Sequence, residues 1–254
     1  MSRYIALFII QWIMVLTAQA AGVCSKSSPV YTVALLELYS SEGCSSCPPA
    51  DQLVQHLYAG TGLTSDQVIP LALHVDYWDY IGWKDPYGKP MHTERQNVLS
   101  ALAGSHSVYT PEFFMAGREF RPGRADLRSA VLDINRRPAQ ASIQIQMNRI
   151  HAGQLELQVD ASSQQDGTVY TALVENGLVS RVNAGENSGS TLQHDAVLRE
   201  WGAAVQLGAN VANRQTVHLA VPVNSVPTNL SVVAFVQNPQ GKILQALSMP
   251  MCHQ

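Results

Sequence analysis

The sequence predicts an α/β domain on a mixed sheet, in the order β-α-β-α-β-β-α over residues 30–137, followed by an all-β, sandwich-like domain over residues 138–254. Three observations carry this prediction. Continuous apolar runs alternate with helically spaced segments in the first half, apolar and polar residues alternate one by one in the second, and the change falls at Arg136-Arg137-Pro138.

Residues 31–39 (Tyr-Thr-Val-Ala-Leu-Leu-Glu-Leu-Tyr) are an apolar run rich in strand formers, as a strand buried on both faces requires. Cys44-Ser-Ser-Cys47 follows. Pro48 and Pro49 then open a helix over 50–59, where Leu53, Val54, Leu57 and Tyr58 recur at helical spacing before Gly60 and Gly62 end it. A second apolar strand covers 68–75. A polar and aromatic loop leads to a helix over 91–103, a short apolar segment over 109–115, a turn at Gly117 and a last helix over 124–135. Beyond Pro138, Ile143, Ile145 and Met147 alternate with glutamines, and Leu155, Leu157 and Val159 alternate with Glu156, Gln158 and Asp160 across a His-Ala-Gly turn. Strands over 168–174, 215–221, 229–237 and 242–247 complete the second half, the last two joined by Asn-Pro-Gln-Gly.

The 254 residues are 46% hydrophobic and only 14% charged, enough to bury a sizeable core. Sixteen Lys and Arg against 19 Asp and Glu give a net charge of −3 with no basic block, which excludes a nucleic-acid surface and a polybasic membrane anchor. Arg3, an apolar run over 4–16 broken only by Gln11, and Ala18-Gln-Ala20 have the layout of a secretory signal peptide over residues 1–20. The run is shorter than the ~20 residues that span a bilayer. The protein is therefore expected to be periplasmic or secreted, with no membrane attachment after leader cleavage.

Four cysteines in an oxidising compartment allow three pairings. Cys24 and Cys252, near the two ends, read as a structural staple, with the alternative that either serves as an extra redox partner for the other pair. Cys44 and Cys47 make a C-x-x-C between a buried strand and a helix, where unpaired backbone N–H groups and the helix dipole favour a thiolate. Cys44, the less enclosed by its sequence position, would attack a disulfide, and Cys47 would resolve the mixed disulfide.

The order strand, C-x-x-C, helix and, more than sixty residues on, Thr110-Pro111 before a short strand, a turn and a last helix resembles the thioredoxin superfamily. This resemblance implies that Pro111 is cis and faces the disulfide, and that Thr110, preceded by Tyr109, offers backbone groups to a peptide substrate. X-Pro is the bond at which cis is cheap. Ser45-Ser46 stand where thioredoxins carry a proline, so their redox potential does not transfer. The chain is more similar still to a family of uncharacterised secreted proteins, the domain of unknown function DUF1223. The likeness runs through residues 38–51, His74-Val-Asp-Tyr-Trp-Asp79, Tyr109-Thr-Pro-Glu-Phe113, and Gly185-Glu-Asn-Ser-Gly189 with Thr191-Leu192. It implies a fold and no established activity.

His74 and Asp76 end the second strand, on the side where α/β sheets bind ligands. The loop after them collects Trp78, Trp83 and three tyrosines. Trp78 and Asp76 are read as a wall of a groove for an extended peptide, the alternative being a loop packed onto the sheet. Asp76 and Asp79 lack further oxygen ligands for Ca²⁺. His194-Asp195 near Ser188 and Ser190 lacks the G-x-S-x-G elbow of a hydrolase. The expected function is an exported thiol–disulfide oxidoreductase with catalytic Cys44, Cys47 and Pro111 and no bound cofactor. It would act on thiols and disulfides of protein or peptide clients, and a further redox partner would recharge it. Two alternatives stand beside it. One is a copper-binding or copper-delivery protein using Cys44, Cys47 and His74; the other is a non-enzymatic binding module in which the Cys44–Cys47 bridge is structural.

Overall fold

A computed structural model of the protein describes residues 24–123 and 126–252, so the leader expected over 1–20 lies outside the described residues. The first half contains β1 (Cys24–Ser27), β2 (Ala34–Ser40), α1 (Pro48–Gln55), α2 (Leu57–Thr61), β3 (Val68–His74), α3 (Pro90–Leu102), β4 (Glu112–Met115), β5 (Arg118–Phe120) and α4 (Leu127–Asn135). The second half is mainly strands: β6 (Ala141–His151), β7 (Gln154–Ser163), β8 (Gly167–Glu175), β9 (Leu178–Arg181), β10 (Thr191–His194), β11 (Val197–Trp201), β12 (Val205–Leu207), β13 (Ala212–Ala220), β14 (Leu230–Gln237) and β15 (Ile243–Pro250).

One mixed sheet runs through both halves in the order β15-β14-β8-β11-β3-β2-β4-β5, with β12 also paired to β8. The crossing point is narrow. β11 lies parallel to β3 with Val197 opposite Ala72, and Ala72 N–H donates to Ala196 O at 2.8 Å. The strands whose sequence alternates, β6, β7 and β13, stand apart in another sheet, while β8, β14 and β15 extend the sheet of the first half and are buried along most of their length. Every residue of β2 is buried, because α1, α2 and α4 cover one face and α3 lies over the other. In β7, by contrast, one face is buried and the other open, which gives the alternation seen in its sequence.

A four-stranded sheet, β1-β6-β7-β13, packs against β8, β14 and β15 through Ile143, Ile145, Leu157, Val159, Val232 and Leu247. On the other side of the large sheet, α3 sends Arg95 inward to Glu37, a fully buried carboxylate in the middle of β2, with Nε 2.6 Å from Oε1. The same guanidinium lies over the rings of Tyr170 and Phe235, 5.1 Å from each centroid. A charge buried in the central strand is thus neutralised by α3 and roofed by aromatics of the second half.

Several expected elements shift. The helix expected over 50–59 breaks at His56 into α1 and α2. The last helix starts at Leu127, after Asp126 caps it by accepting from Ser129 N–H at 3.1 Å. Residues 178–207, which read as a long connection, hold β9 to β12, strands of three to five residues. Runs that short leave no measurable alternation. Among the described residues no helix is long and apolar enough to cross a membrane.

Cys24 and Cys252 form a disulfide that spans 228 residues of sequence, their Cα atoms 6.3 Å apart. Closing so long a loop removes chain entropy from the unfolded state, by up to about 5 kcal/mol. Cys252→Ser is expected to lower unfolding free energy by about 2–5 kcal/mol in denaturant titrations of the oxidised protein, and to differ little from wild type once both are reduced. An unchanged midpoint under oxidising conditions would refute a staple.

Candidate functional site

The parallel strands β2 and β3 end side by side, Ser40 opposite His74, so their C-terminal ends open on one edge of the sheet. From Ser40 the chain makes two tight turns, Cys44 N–H donating to Ser41 O and Cys47 N–H to Cys44 O, each at 3.2 Å. Cys47 is the N-cap of α1, with Pro48 and Pro49 in the first turn where no N–H is needed. Both cysteines are free thiols. Opposite them the Thr110–Pro111 peptide is cis, and Thr110 O lies 3.7 Å from Cys44 Sγ and 3.4 Å from Ser46 Oγ. Trp78 Nε1–H donates to Thr110 Oγ1 at 2.7 Å, bringing the aromatic loop onto the same spot.

The two thiols differ. The neighbouring Cys47 thiol donates to Cys44 and, outweighing burial and assisted by Ser46, brings the Cys44 thiol down to about 6. Burial and the adjacent Cys44 push the Cys47 thiol well above the ordinary thiol range. The arrangement can therefore hold a thiolate on Cys44 and a proton on Cys47.

Both thiols are covered, Cys44 1% exposed and Cys47 0%, while Ser45 and Ser46 between them face solvent. The cover comes from the second half of the chain. Asn187 Nδ2–H donates to both Glu42 O and Cys44 O at 2.9 Å, and Ser45 N–H donates to Glu186 Oε2 at 2.9 Å. Gly185 makes this possible, with φ +73° and a Cβ position that would fall 3.1 Å from Ile81 Cδ1 and 3.3 Å from Trp83 Cβ.

The remaining expected residues separate. Tyr109 flanks the cis bond and donates through its hydroxyl to Glu119 at 2.6 Å. It lines a groove of about 660 Å³ with Pro49, Leu53, Pro111, Phe113 and Phe120, beginning at Ser46. Asp76 accepts from Thr93 Oγ1 at 2.6 Å, which ties the aromatic loop to α3. Ser188 donates to Asn183 O and Asp195 accepts from Gly177 N–H, so neither joins His194 in a triad.

His74 does not gather with Cys44 and Cys47. Among the described residues, the metal-ligating atoms that converge within 4.8 Å belong to His74, His194 and Asp51. His74 Nδ1 lies 2.7 Å from Asp85 Oδ2, and His194 Nε2 lies 3.2 Å from Glu42 Oε1. His194 Nδ1 faces Asp51 Oδ2 at 3.5 Å, and Ser40 Oγ donates to Asp51 Oδ1 at 3.1 Å. Trp83 Nε1–H donates to Glu42 Oε2, and Glu42 N–H to Asp85 Oδ2, at 2.7 and 2.8 Å. Although burial opposes charge on both, the imidazole of His74 holds the Asp85 carboxyl below its ordinary range, and Asp51 and Glu42 raise His194 to about 9. The chain thus carries a buried carboxylate–imidazole cluster directly behind the dithiol, with Asp51 one helical turn beyond Cys47.

The model of the family described as protein of unknown function (DUF1223) matches residues 35–237, a span that includes both thiols, the cis proline, Asn187 and His194. The chain belongs to this family. The fold is similar to the solved structure of protein AGR_C_4864 from Agrobacterium tumefaciens, at 22% identity and TM-score 0.61, covering 89% of this chain and 98% of that one. A domain of the outer membrane lipoprotein Omp28 from Porphyromonas gingivalis matches at 16% identity and TM-score 0.30, over 44% of this chain and 88% of that one. No curated protein matches the sequence.

If Asn187 latches the cover of this DUF1223 protein, Asn187→Ala leaves two buried carbonyls without their donor. Losing a net bond of about 1–1.5 kcal/mol corresponds to roughly tenfold more opening. Alkylation of Cys44 in the reduced protein, followed by mass spectrometry, is expected to accelerate by that factor; an unchanged rate would mean that the cover is not latched there.

Proposed function

We propose that this DUF1223 protein is an exported thiol–disulfide oxidoreductase with a thioredoxin-like first half and a sandwich-like second half. The observation that carries the reading is the asymmetry of the pair: a Cys44 thiol brought down to about 6 beside a Cys47 thiol kept protonated, both facing a cis-prolyl turn. A low-pKa thiolate is the nucleophile of disulfide exchange.

In the reducing direction the Cys44 thiolate attacks one sulfur of a client disulfide, forming a mixed disulfide and expelling the other client sulfur as a thiolate. Cys47 gives up its proton to that thiolate and attacks Cys44 Sγ, which releases the second client sulfur and closes the Cys44–Cys47 bond. The client gains two electrons, the pair loses two, and a dithiol partner restores it. Run backwards, the same steps oxidise a client. The apolar groove beside Ser46 suits an extended peptide, with Pro111 and Tyr109 against its backbone. The signal-peptide layout of residues 1–20 supports a periplasmic or secreted location.

A second reading is favoured by the depth of the thiols, which under the Glu186–Asn187 cover resemble a buried structural bridge. The reduction potential separates the two. A value between about −120 and −270 mV supports exchange, whereas one below about −300 mV makes the pair scaffold. Cys44→Ser is expected to abolish reduction of a model disulfide by the dithiol-charged protein, and unchanged turnover would overturn the proposal.

The pH dependence has a definite sign. Because the folded protein lowers the Cys44 thiol from about 9 to about 6, the thiolate stabilises the reduced fold at alkaline pH, and this contribution is lost as pH falls through about 6. Cys44 alkylation is expected to titrate with a midpoint near 6, moving upward in Cys47→Ala, which removes the leading cause. A wild-type midpoint above 8 would contradict the assignment.

A further inference from the structure

We propose that His74, His194 and Asp51 form a binding site for one divalent first-row transition ion, Zn²⁺ being the ion whose preferences the donor set meets best. The site is separate from the thiols, and the argument stands whether or not the pair exchanges disulfides.

The hydrogen bonds decide which atoms are left to bind. Asp85 Oδ2 is an acceptor, so the hydrogen of His74 sits on Nδ1; His194 has a carboxylate on each side, Glu42 Oε1 at Nε2 and Asp51 Oδ2 at Nδ1, so Glu42 holds a hydrogen on Nε2 and an arriving ion would replace the proton on Nδ1. The lone pairs an ion would take are then those of His74 Nε2 and, with its proton released, His194 Nδ1. These two atoms are buried with no hydrogen-bond partner, on residues 0% and 2% exposed. Asp51 has one oxygen held by Ser40 and turns the other toward His194. Buried polar atoms without partners are rare in folded proteins, and two of them converge here with a carboxylate.

The geometry and the surroundings both suit an ion. Zn²⁺ sits about 2.0–2.2 Å from nitrogen and carboxylate oxygen, which places tetrahedral donors roughly 3.3 Å apart. His194 Nδ1 and Asp51 Oδ2 are already 3.5 Å apart, and the three ligand atoms all lie within 4.8 Å of one another. Each imidazole is oriented by a carboxylate on its far nitrogen, the arrangement that fixes tautomer and ring angle in histidine metal sites. Two nitrogens and an oxygen favour Zn²⁺ over Cu(I), which selects sulfur. Three buried acids, Glu42, Asp51 and Asp85, face two imidazoles. A dication supplies the positive charge such a cluster lacks.

The ligands come from the end of β3, the first turn of α1 and the end of β10. An ion would fasten the β9–β10 hairpin, which carries the Glu186–Asn187 cover on its connecting loop, to the helix that begins at Cys47. Its role there is to hold two parts of the fold against each other.

The test uses the full chain with Cys44→Ser and Cys47→Ser, so that thiolate binding cannot contribute. After chelator dialysis, Zn²⁺ titrated calorimetrically is expected to bind 1:1. Co²⁺ is expected to give visible d–d bands with no sulfur charge-transfer band. His194→Gln and His74→Gln should each weaken Zn²⁺ at least 100-fold, and Asp85→Asn, which keeps the side-chain shape, about 10- to 100-fold. Circular dichroism checks that each variant is folded. Failure of the folded double-serine protein to take up either ion overturns the proposal without recourse to the histidine variants. Uptake that persists unchanged in folded His194→Gln overturns it equally.

Discussion

Three carboxylates buried within reach of two imidazoles are the constraint around which the site is organised. Carrying a carboxylate out of water costs several kcal/mol unless it is paired and hydrogen-bonded, and Glu42, Asp51 and Asp85 are all buried. Each is therefore answered: Glu42 by Trp83 and His194, Asp85 by His74 and two backbone N–H groups, Asp51 by Ser40 and His194. His194 belongs to β10, more than 140 residues after Glu42. The loop that carries Cys44 and Cys47 therefore depends on the second half for its electrostatic balance.

The same dependence is built into the sheet. β2 is covered on both faces and carries Glu37 at its centre, which Arg95 neutralises from α3 beneath the rings of Tyr170 and Phe235. Breaking either partner of such a pair would leave an uncompensated buried charge, which is far costlier than the pair's net contribution. β11 then continues the sheet from β3 into the second half. β8, β14 and β15 join the strands of the first half in one layer, with shared aromatics and a shared cluster of charge, while the alternating β6, β7 and β13 pack over it.

The elements readable from the sequence are those whose signal is local. The apolar run that became β2, the Cys44-Ser-Ser-Cys47 turn, the alternation of β6 and β7, and Thr110-Pro111 each lie within a dozen residues, and each appears in the structure at that place. His74 was visible as a polar residue ending an apolar strand, but its partners were not, because Asp85 lies in an irregular loop and His194 in a four-residue strand. Gly185-Glu-Asn-Ser-Gly189 reads as a turn-rich loop or, from its family likeness, as a contact with the first half or a partner, and its approach to Cys44 shows which atoms Asn187 and Glu186 cover. Had buried acids been weighed at Glu42 and Asp51, which flank the C-x-x-C, a search for compensating imidazoles would have reached His194.

The Cys24–Cys252 disulfide imposes an order of events. Its second cysteine follows β15, an edge strand of the shared sheet, and its first opens β1, an edge strand of the four-stranded sheet. A chain threaded through a membrane N-terminus first would deliver Cys24, Cys44 and Cys47 together, with the native partner of Cys24 still to come. Until it arrives, the three early cysteines are free to pair with one another. Oxidation that waits for the last strand yields the native bond; oxidation that does not would trap Cys24 against the very pair it is meant to leave alone.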